Sequence, residues 1–263
     1  MGKQQEYVGY TNKDYLETIA DLGKAVKQRS YELMQLKPGQ KVLDVGCGPG
    51  LDTVQLALKV GSGGGVTGID YDPEMIEAAE HRAKQEGVAS WVRHIEGNAL
   101  TLPFRDNYFD ACRSERLFIH LDHPELVLDE IIRVTRPGGW IVLVDTDADS
   151  ASTETTETDI DHRIKTFTNE SLLANGYAGR KLYGLMKEKQ LMSLVREVKA
   201  SLIDSFSVYM QLSKRAELCQ AAVKAGVVSQ EEVDKLMADL IYKDERGQFH
   251  WTYTTVLVAG QKA

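Results

Sequence analysis

"KVLDVGCGPG", residues 41–50, is a short apolar run broken by one acid and followed by three alternating glycines. The run Lys41–Val45 is β-rich and bounded by turn residues, so it reads as a strand, and Leu51–Val60 after the glycines reads as a helix. Upstream, Tyr15, Ile19, Leu22, Val26, Tyr31 and Leu33 recur at helical spacing over Asn12–Leu36 until "KPGQ" stops them. Downstream, "GGGVTGID" supplies a turn and a second strand, completing a βαβ unit. The alternation continues with helix Pro73–Glu86, strand Trp91–Glu96, turn "TLPFRDNY", strand Phe109–Arg113, helix Pro124–Val134, turn "RPGG" and strand Trp140–Val144. Five short strands alternating with helices imply a parallel sheet covered on both faces, with right-handed crossovers. Ligands of such sheets sit at the carboxyl ends of the strands.

After Val144 the stretch "DTDADSASTETTETD" is acidic, rich in Ser and Thr, and free of large apolar groups, which reads as a loop or lid. Helical patterning returns over Asn169–Gln190, a strand fits within Val195–Tyr209, and two helices follow, the second opened by Ser229 and Glu232 as a capping box. "FHWTYTTVLVAG" closes the chain as a strand. No internal repeat interrupts this order. At 263 residues, 43% hydrophobic and 27% charged, the composition is that of an ordinary globular protein. The net charge of −8 argues against a phosphate-neutralising surface, so nucleic acid is not expected as a partner. Cys47, Cys112 and Cys219 are odd in number and widely spaced, which suggests neither a disulfide framework nor a zinc site. The polar start, without a myristoylation signal, and the lack of a long apolar stretch suggest a cytoplasmic protein with no membrane partner.

Three glycines between strand and helix bring backbone close to a ligand, and two nucleoside cofactors use such a turn. A dinucleotide fingerprint needs a third Gly where this chain has Leu51. Asp44, just ahead of the turn, would repel a pyrophosphate and attract the sulfonium and ammonium of S-adenosylmethionine. Asp70, at the end of the second strand, is placed to accept hydrogen bonds from ribose hydroxyls. "VLDVGCGPG", "VTGIDYDPEMIEAA", "EGNALTLPFRDNYFDACRSERLFIHL" and "EIIRVTRPGGWIVLVD" resemble the successive motifs of class I S-adenosylmethionine-dependent methyltransferases. Within that superfamily they are most similar to the small-molecule branch grouped with ubiquinone and menaquinone biosynthesis.

The resemblance implies a Rossmann-like α/β fold with a seven-strand sheet, mostly parallel, whose antiparallel seventh strand is inserted beside the fifth, with helices on both faces and a helical lid. It implies one domain over 1–263, with an N-terminal helical or lid segment at 1–36, a cofactor core at 37–145, and lid or substrate-side insertions at 146–192 and 210–248. Carried over by position, Gly46, Cys47 and Gly48 lie along the methionine moiety, with Asp44 near its ammonium. Asp70 holds the ribose, Tyr71 and Met75 cover one adenine face, Asn98 and Ala99 meet the adenine edge, and Ser114 contacts the methionine part. Cys47 also reads as a small filler of the turn and Met75 as possible core.

Methyl transfer is an in-line displacement, so positioning supplies most of the catalysis and a base serves only an acceptor that must lose a proton. Groups beyond the fourth and fifth strands are Glu115, Arg116, His120, Asp145 and Asp147; His120 is the first choice as base, with Asp145 and Asp147 placed to orient a substrate amine or hydroxyl. His250, Trp251 and Tyr253 would start the seventh strand near Asp145, offering an aromatic wall for an apolar or aromatic acceptor. Tyr7, Tyr10, the 145–170 loop and the helix around Arg180 are the lid candidates. No metal is expected. The expected partner is a small-molecule substrate, and the expected assembly a monomer or homodimer. The competing readings are a binding protein of the same fold without methyl transfer and an NAD-dependent oxidoreductase.

Overall fold

The computed structural model describes residues 23–263. Its strands are β1 (Lys41–Val45), β2 (Gly65–Asp70), β3 (Val92–Glu96), β4 (Phe109–Glu115), β5 (Thr135–Thr153), β6 (Met192–Ile203) and β7 (Trp251–Gln261). They form one seven-stranded sheet in the order β3-β2-β1-β4-β5-β7-β6. The pairs among β1 to β5 are parallel, and β7 runs antiparallel between β5 and β6. The order reverses at β1 and β4, which sets a crevice over the carboxyl ends of those two strands.

Period-two alternation divides the core between the two faces. Leu43, Cys112, Leu143 and Val258 point to one face, where they pack with α4 (Pro124–Val134) and α6 (Ala178–Glu188). Val42, Ala111, Val142 and Leu257 point to the other, against α1 (Lys24–Leu33), α2 (Leu51–Val60) and the α3 helix (Pro73–Gln85). A third apolar cluster joins α5 (Thr158–Phe167), α7 (Phe206–Ser213), α8 (Arg215–Lys224) and α9 (Gln230–Glu245) through Ile164, Tyr209, Leu236 and Leu240. These four helices form a cap with its own core. The capping box of Ser229 and Glu232 opens α9 as expected.

Three expectations in the second half are corrected. The acidic stretch after Val144 continues β5 to Thr153 instead of forming a loop: Asp145, Thr146 and Asp147 pair with Val256, Thr255 and Thr254. Beyond a bulge the ladder resumes at Ser152, and the Ser150 hydroxyl bridges the irregularity, donating to Asp147 O at 2.6 Å and accepting from Thr254 N at 2.9 Å. A polar composition reads as a loop; the waiting partner strand makes it a strand. The helical region begins earlier, at Thr158, unwinds through a π turn at Thr168–Leu172, and resumes only at Ala178. Three helices follow β6 where two are expected, because Lys214 breaks the first at a left-handed φ of +51°. Tyr7, Tyr10, Tyr15, Ile19 and Leu22 lie outside the described residues.

Gly50 caps α2 with φ +77°, and a Cβ there would lie 2.8 Å from the Ala79 Cβ on α3. Gly50→Ala therefore combines backbone strain with overpacking and lowers stability by roughly 2–4 kcal/mol, read as a shift of the urea midpoint.

Candidate functional site

The glycine turn is anchored to β2 by Gly46 N and Cys47 N, which donate to Ile69 O at 2.8 and 3.0 Å. Gly48 N donates to Asp70 Oδ2 at 2.8 Å, and Asp72 N to Asp70 Oδ1 at 3.1 Å. Burial pushes the Asp70 carboxyl up, while those amides stabilise its anion. A Cβ on Gly48 would meet nothing within 4 Å, so the backbone there has an open face. Cys47 turns the other way: a Cβ on Gly68 would lie 2.7 Å from its Sγ and 2.7 Å from His94 Cδ2. Burial raises the Cys47 thiol well above its usual range, which makes it a packing group rather than a nucleophile.

Ser114, at the end of β4, donates to Val45 O at 2.8 Å and closes the same edge. Tyr71 is exposed just past β2, and Met75 is half-buried in the first turn of α3. Asn98 follows β3 and accepts from Leu100 N at 2.9 Å, beside half-buried Ala99. The ten residues carried over for the cofactor are thus gathered along the carboxyl edge of β1 to β4.

Under this edge lies a buried ionic cluster that the sequence did not disclose. Arg113 on β4 is fully buried; its Nη1 is 3.5 Å from Asp44 and 3.0 Å from Asp52, and its Nη2 is 2.5 Å from Glu115. Lys27 of α1 adds contacts of 2.7 Å to Asp52 and 2.8 Å to Glu115, and the Tyr31 hydroxyl bonds Asp52. Burial works against the Asp52 charge, but Arg113 and Lys27 outweigh it and hold that carboxyl well below the usual range. Asp44 has the weaker share of Arg113, and burial lifts it to about 7. Two cations face three carboxyls, so the cluster gains a net negative charge as Asp44 ionises. That donor set fits a cofactor with a cationic end.

A cavity of about 500 Å³ opens next to the cradle, between the ends of β4, β5 and β7 and the cap. Glu115, Arg116, Ile119, His120, Asp145, Trp251 and Tyr253 are among its lining residues. Burial, reinforced by Arg116 and Lys214, lowers the His120 imidazole to about 4, so it is neutral at physiological pH. Asp145 accepts from Ile119 N at 3.1 Å and Thr146 N at 2.8 Å, and burial raises it to about 7 despite those bonds. Asp147 does not line the cavity. It faces α6 in a 2.6 Å ion pair with Arg180, which also reaches Asp149 at 3.0 Å, and neither Asp147 nor Arg180 is among the residues lining the cavity. His250 is exposed and likewise absent from the lining. Among the described residues no group of three or more His, Cys, Asp or Glu is arranged to hold a metal.

The raised Asp44 carboxyl sets a pH dependence for any ligand cation it faces. Its anion forms as pH rises through about 7, so affinity for S-adenosylhomocysteine, which keeps the amino group, increases from pH 6 to 8. The gain is up to about tenfold, the ratio of ionised fractions at pH 8 and pH 6 for a group titrating near 7. Calorimetry over that range shows the rise in the wild type and its loss in Asp44→Asn.

The family model described as a methyltransferase domain matches residues 36–238, which includes every strand of the sheet except β7. Demethylmenaquinone methyltransferase of Desulfitobacterium hafniense is 31% identical over 134 residues, covering 50% of this chain and 53% of the relative. The chain spans about half the length of the curated relatives it matches. The YcgJ protein of Bacillus subtilis shares the fold at a TM-score of 0.64 and 20% identity, over 93% of this chain and 98% of that one. Geranyl diphosphate C-methyltransferase of Streptomyces coelicolor, solved with S-adenosylhomocysteine, does so at 0.57 and 16%, over 95% and 83%. With most of its length matched by the domain model and its sheet in the same form, the chain belongs to the methyltransferase-domain family, in the class I form that its motifs over 41–145 resemble.

Proposed function

We propose that this chain transfers a methyl group from S-adenosylmethionine to a small apolar or aromatic acceptor held in the cavity beneath the cap. The observation that carries this reading is the placement of segment 115–120. Leu117 packs on the glycine turn, its side chain about 3.3 Å from where a Gly46 Cβ would stand, while Glu115, Arg116, Ile119 and His120 line the cavity. Five residues of this segment thus serve as the shared wall of the cradle and the cavity.

The cofactor would supply the methyl as a sulfonium electrophile. Asp44, Gly46, Cys47, Gly48 and Ser114 hold its methionine end, Asp70 accepts from the ribose, Tyr71 and Met75 cover an adenine face, and Asn98 and Ala99 meet the adenine edge. Trp251 and Tyr253, with ring centroids 4.7 Å apart, present an aromatic wall to the acceptor. Neutral His120 takes the acceptor proton when there is one to lose. Of the two β5 acids, Asp145 lines the cavity; by accepting Ile119 N it holds the 3-10 turn Phe118–His120 that carries the base. No described helix is long and apolar enough to cross a membrane, and with the acidic net charge this supports a cytoplasmic enzyme acting on a small molecule.

Calorimetry with S-adenosylmethionine and S-adenosylhomocysteine tests the cradle: micromolar binding is expected, weakened at least tenfold in Asp70→Ala, in line with loss of charged hydrogen bonds. Absence of binding by the wild type overturns the proposal. Transfer of labelled methyl to a panel of apolar and aromatic acceptors then identifies a substrate. His120→Ala is expected to lower kcat about 100-fold while leaving S-adenosylhomocysteine affinity unchanged.

A further inference from the structure

Beneath the glycine turn lies a buried histidine that the proposed chemistry does not use. His94 is on β3 and only 5% exposed, and its ring shares the space over Gly68 of β2 with the Cys47 side chain, which is why no Cβ fits there. His94 Nε2 is 2.8 Å from Thr53 Oγ1 on α2, and the same fully buried hydroxyl donates to Gly50 O at 3.0 Å.

The direction of this relay follows from counting protons. A threonine hydroxyl has one, and the Gly50 carbonyl can only accept it. The Thr53 oxygen therefore meets the imidazole as an acceptor, and His94 donates from Nε2. Its Nδ1 is then a bare lone pair, which matches the absence of any hydrogen-bond partner for that atom among the described residues.

The relay ends on the turn itself. Gly50, at φ +77°, is the residue where the turn becomes α2, and its carbonyl accepts from Val54 N at 3.3 Å as well as from Thr53. Pro49 O accepts from Arg82 Nε of α3 at 3.1 Å, and Cys47 O from Gly50 N at 3.2 Å. Holding these carbonyls restrains rotation of the peptides between them, which keeps Gly48 N on Asp70.

A second proton on the ring would create a buried charge and an Nδ1–H with no acceptor. The titratable groups facing the ring are the Cys47 thiol from the turn and Glu80 from α3; β2 and α2 contribute Gly68 and Thr53, which do not titrate. Burial outweighs the pull of Glu80 and lowers the imidazole to about 4. In an opened turn the ring titrates near its ordinary 6.5, so the held form loses ground as pH falls from there towards 4.

On the reading that this turn cradles S-adenosylmethionine, we propose that His94 is the positioning residue of the cradle. As a neutral imidazole with its proton on Nε2, it holds Gly50 through Thr53 and keeps the turn in its cofactor-binding shape.

Long-range proton–nitrogen correlation spectra of the histidine-labelled protein read the tautomer without any ligand, with His94→Gln assigning the signal. A protonated Nε2 and a bare Nδ1 are expected at pH 7.5. Calorimetry with S-adenosylhomocysteine then tests the relay, on variants shown by thermal melts to be folded. Thr53→Val, nearly isosteric, and His94→Leu are each expected to weaken binding about fivefold or more at pH 7.5, and the double variant no further than the worse single one, because both break one chain. His94→Gln, whose amide donates from about the position of Nε2 and does not titrate, is expected to bind within about twofold of wild type. Between pH 7.5 and 5 the wild type is expected to lose about threefold more affinity than His94→Gln, since losses from Asp44 and Asp70 are common to both and cancel in the ratio. An Nδ1–H tautomer, undiminished or additive effects of Thr53→Val and His94→Leu, a Gln variant as weak as the Leu variant, or a flat ratio overturns the positioning role and leaves the cofactor site standing. No binding by the wild type overturns the methyltransferase reading and the positioning role with it.

Discussion

Arg113 is the charge around which the active edge is built. A guanidinium with no solvent contact is costly unless it is surrounded by opposing charge, and removing one partner from such a set leaves an uncompensated buried ion. Here the partners come from different parts of the chain: Asp44 from β1, Asp52 from the helix after the glycine turn, and Glu115 from the exit of β4. Lys27 and Tyr31 add α1 to the same cluster. The glycine turn, helix α1 and the segment leading to the cavity are therefore positioned by one ionic group.

The segment after β4 converts that positioning into a division of space. Leu117 seals the glycine turn, while the residues on either side of it open onto the cavity. The buried Asp145 carboxylate holds the short turn beyond it by accepting the Ile119 amide, which ties Phe118–His120 to β5. Such an arrangement suits a reaction whose rate depends chiefly on alignment.

The cap is a second body of packing laid over this edge. Its core of Ile164, Tyr209, Leu236 and Leu240 is separate from the two sheet clusters, which leaves its inner wall free to carry polar groups without weakening the sheet. The extended β5 and the Lys214 kink are the devices that bring this wall close: one carries the floor outward to Thr153, the other turns two basic residues inward.

Local patterning was sufficient for the first half of the fold. Short apolar runs bounded by glycine and proline mark β1 to β4, and α2 and α4 have the bounds that periodicity indicates, because each element is dictated by its own residues and the turns that flank it. The nearness of Gly46, Gly48, Asp70 and Ser114 was legible for the same reason: they sit at or just past strand ends, where connectivity alone brings them together. What the linear order could not carry was pairing between distant segments. Residues 145–153 are a strand only because β7 lies beside them, Asp147 turns from the cavity to an ion pair with Arg180 of α6, and Arg113 looks like an ordinary surface residue until Asp44, Asp52 and Glu115 close around it. Fold class followed from short-range chemistry in the sequence itself; the cavity beneath the cap and the buried ionic cluster were decided by tertiary structure, because electrostatic and strand-edge interactions depend on distance in space and not on separation along the chain.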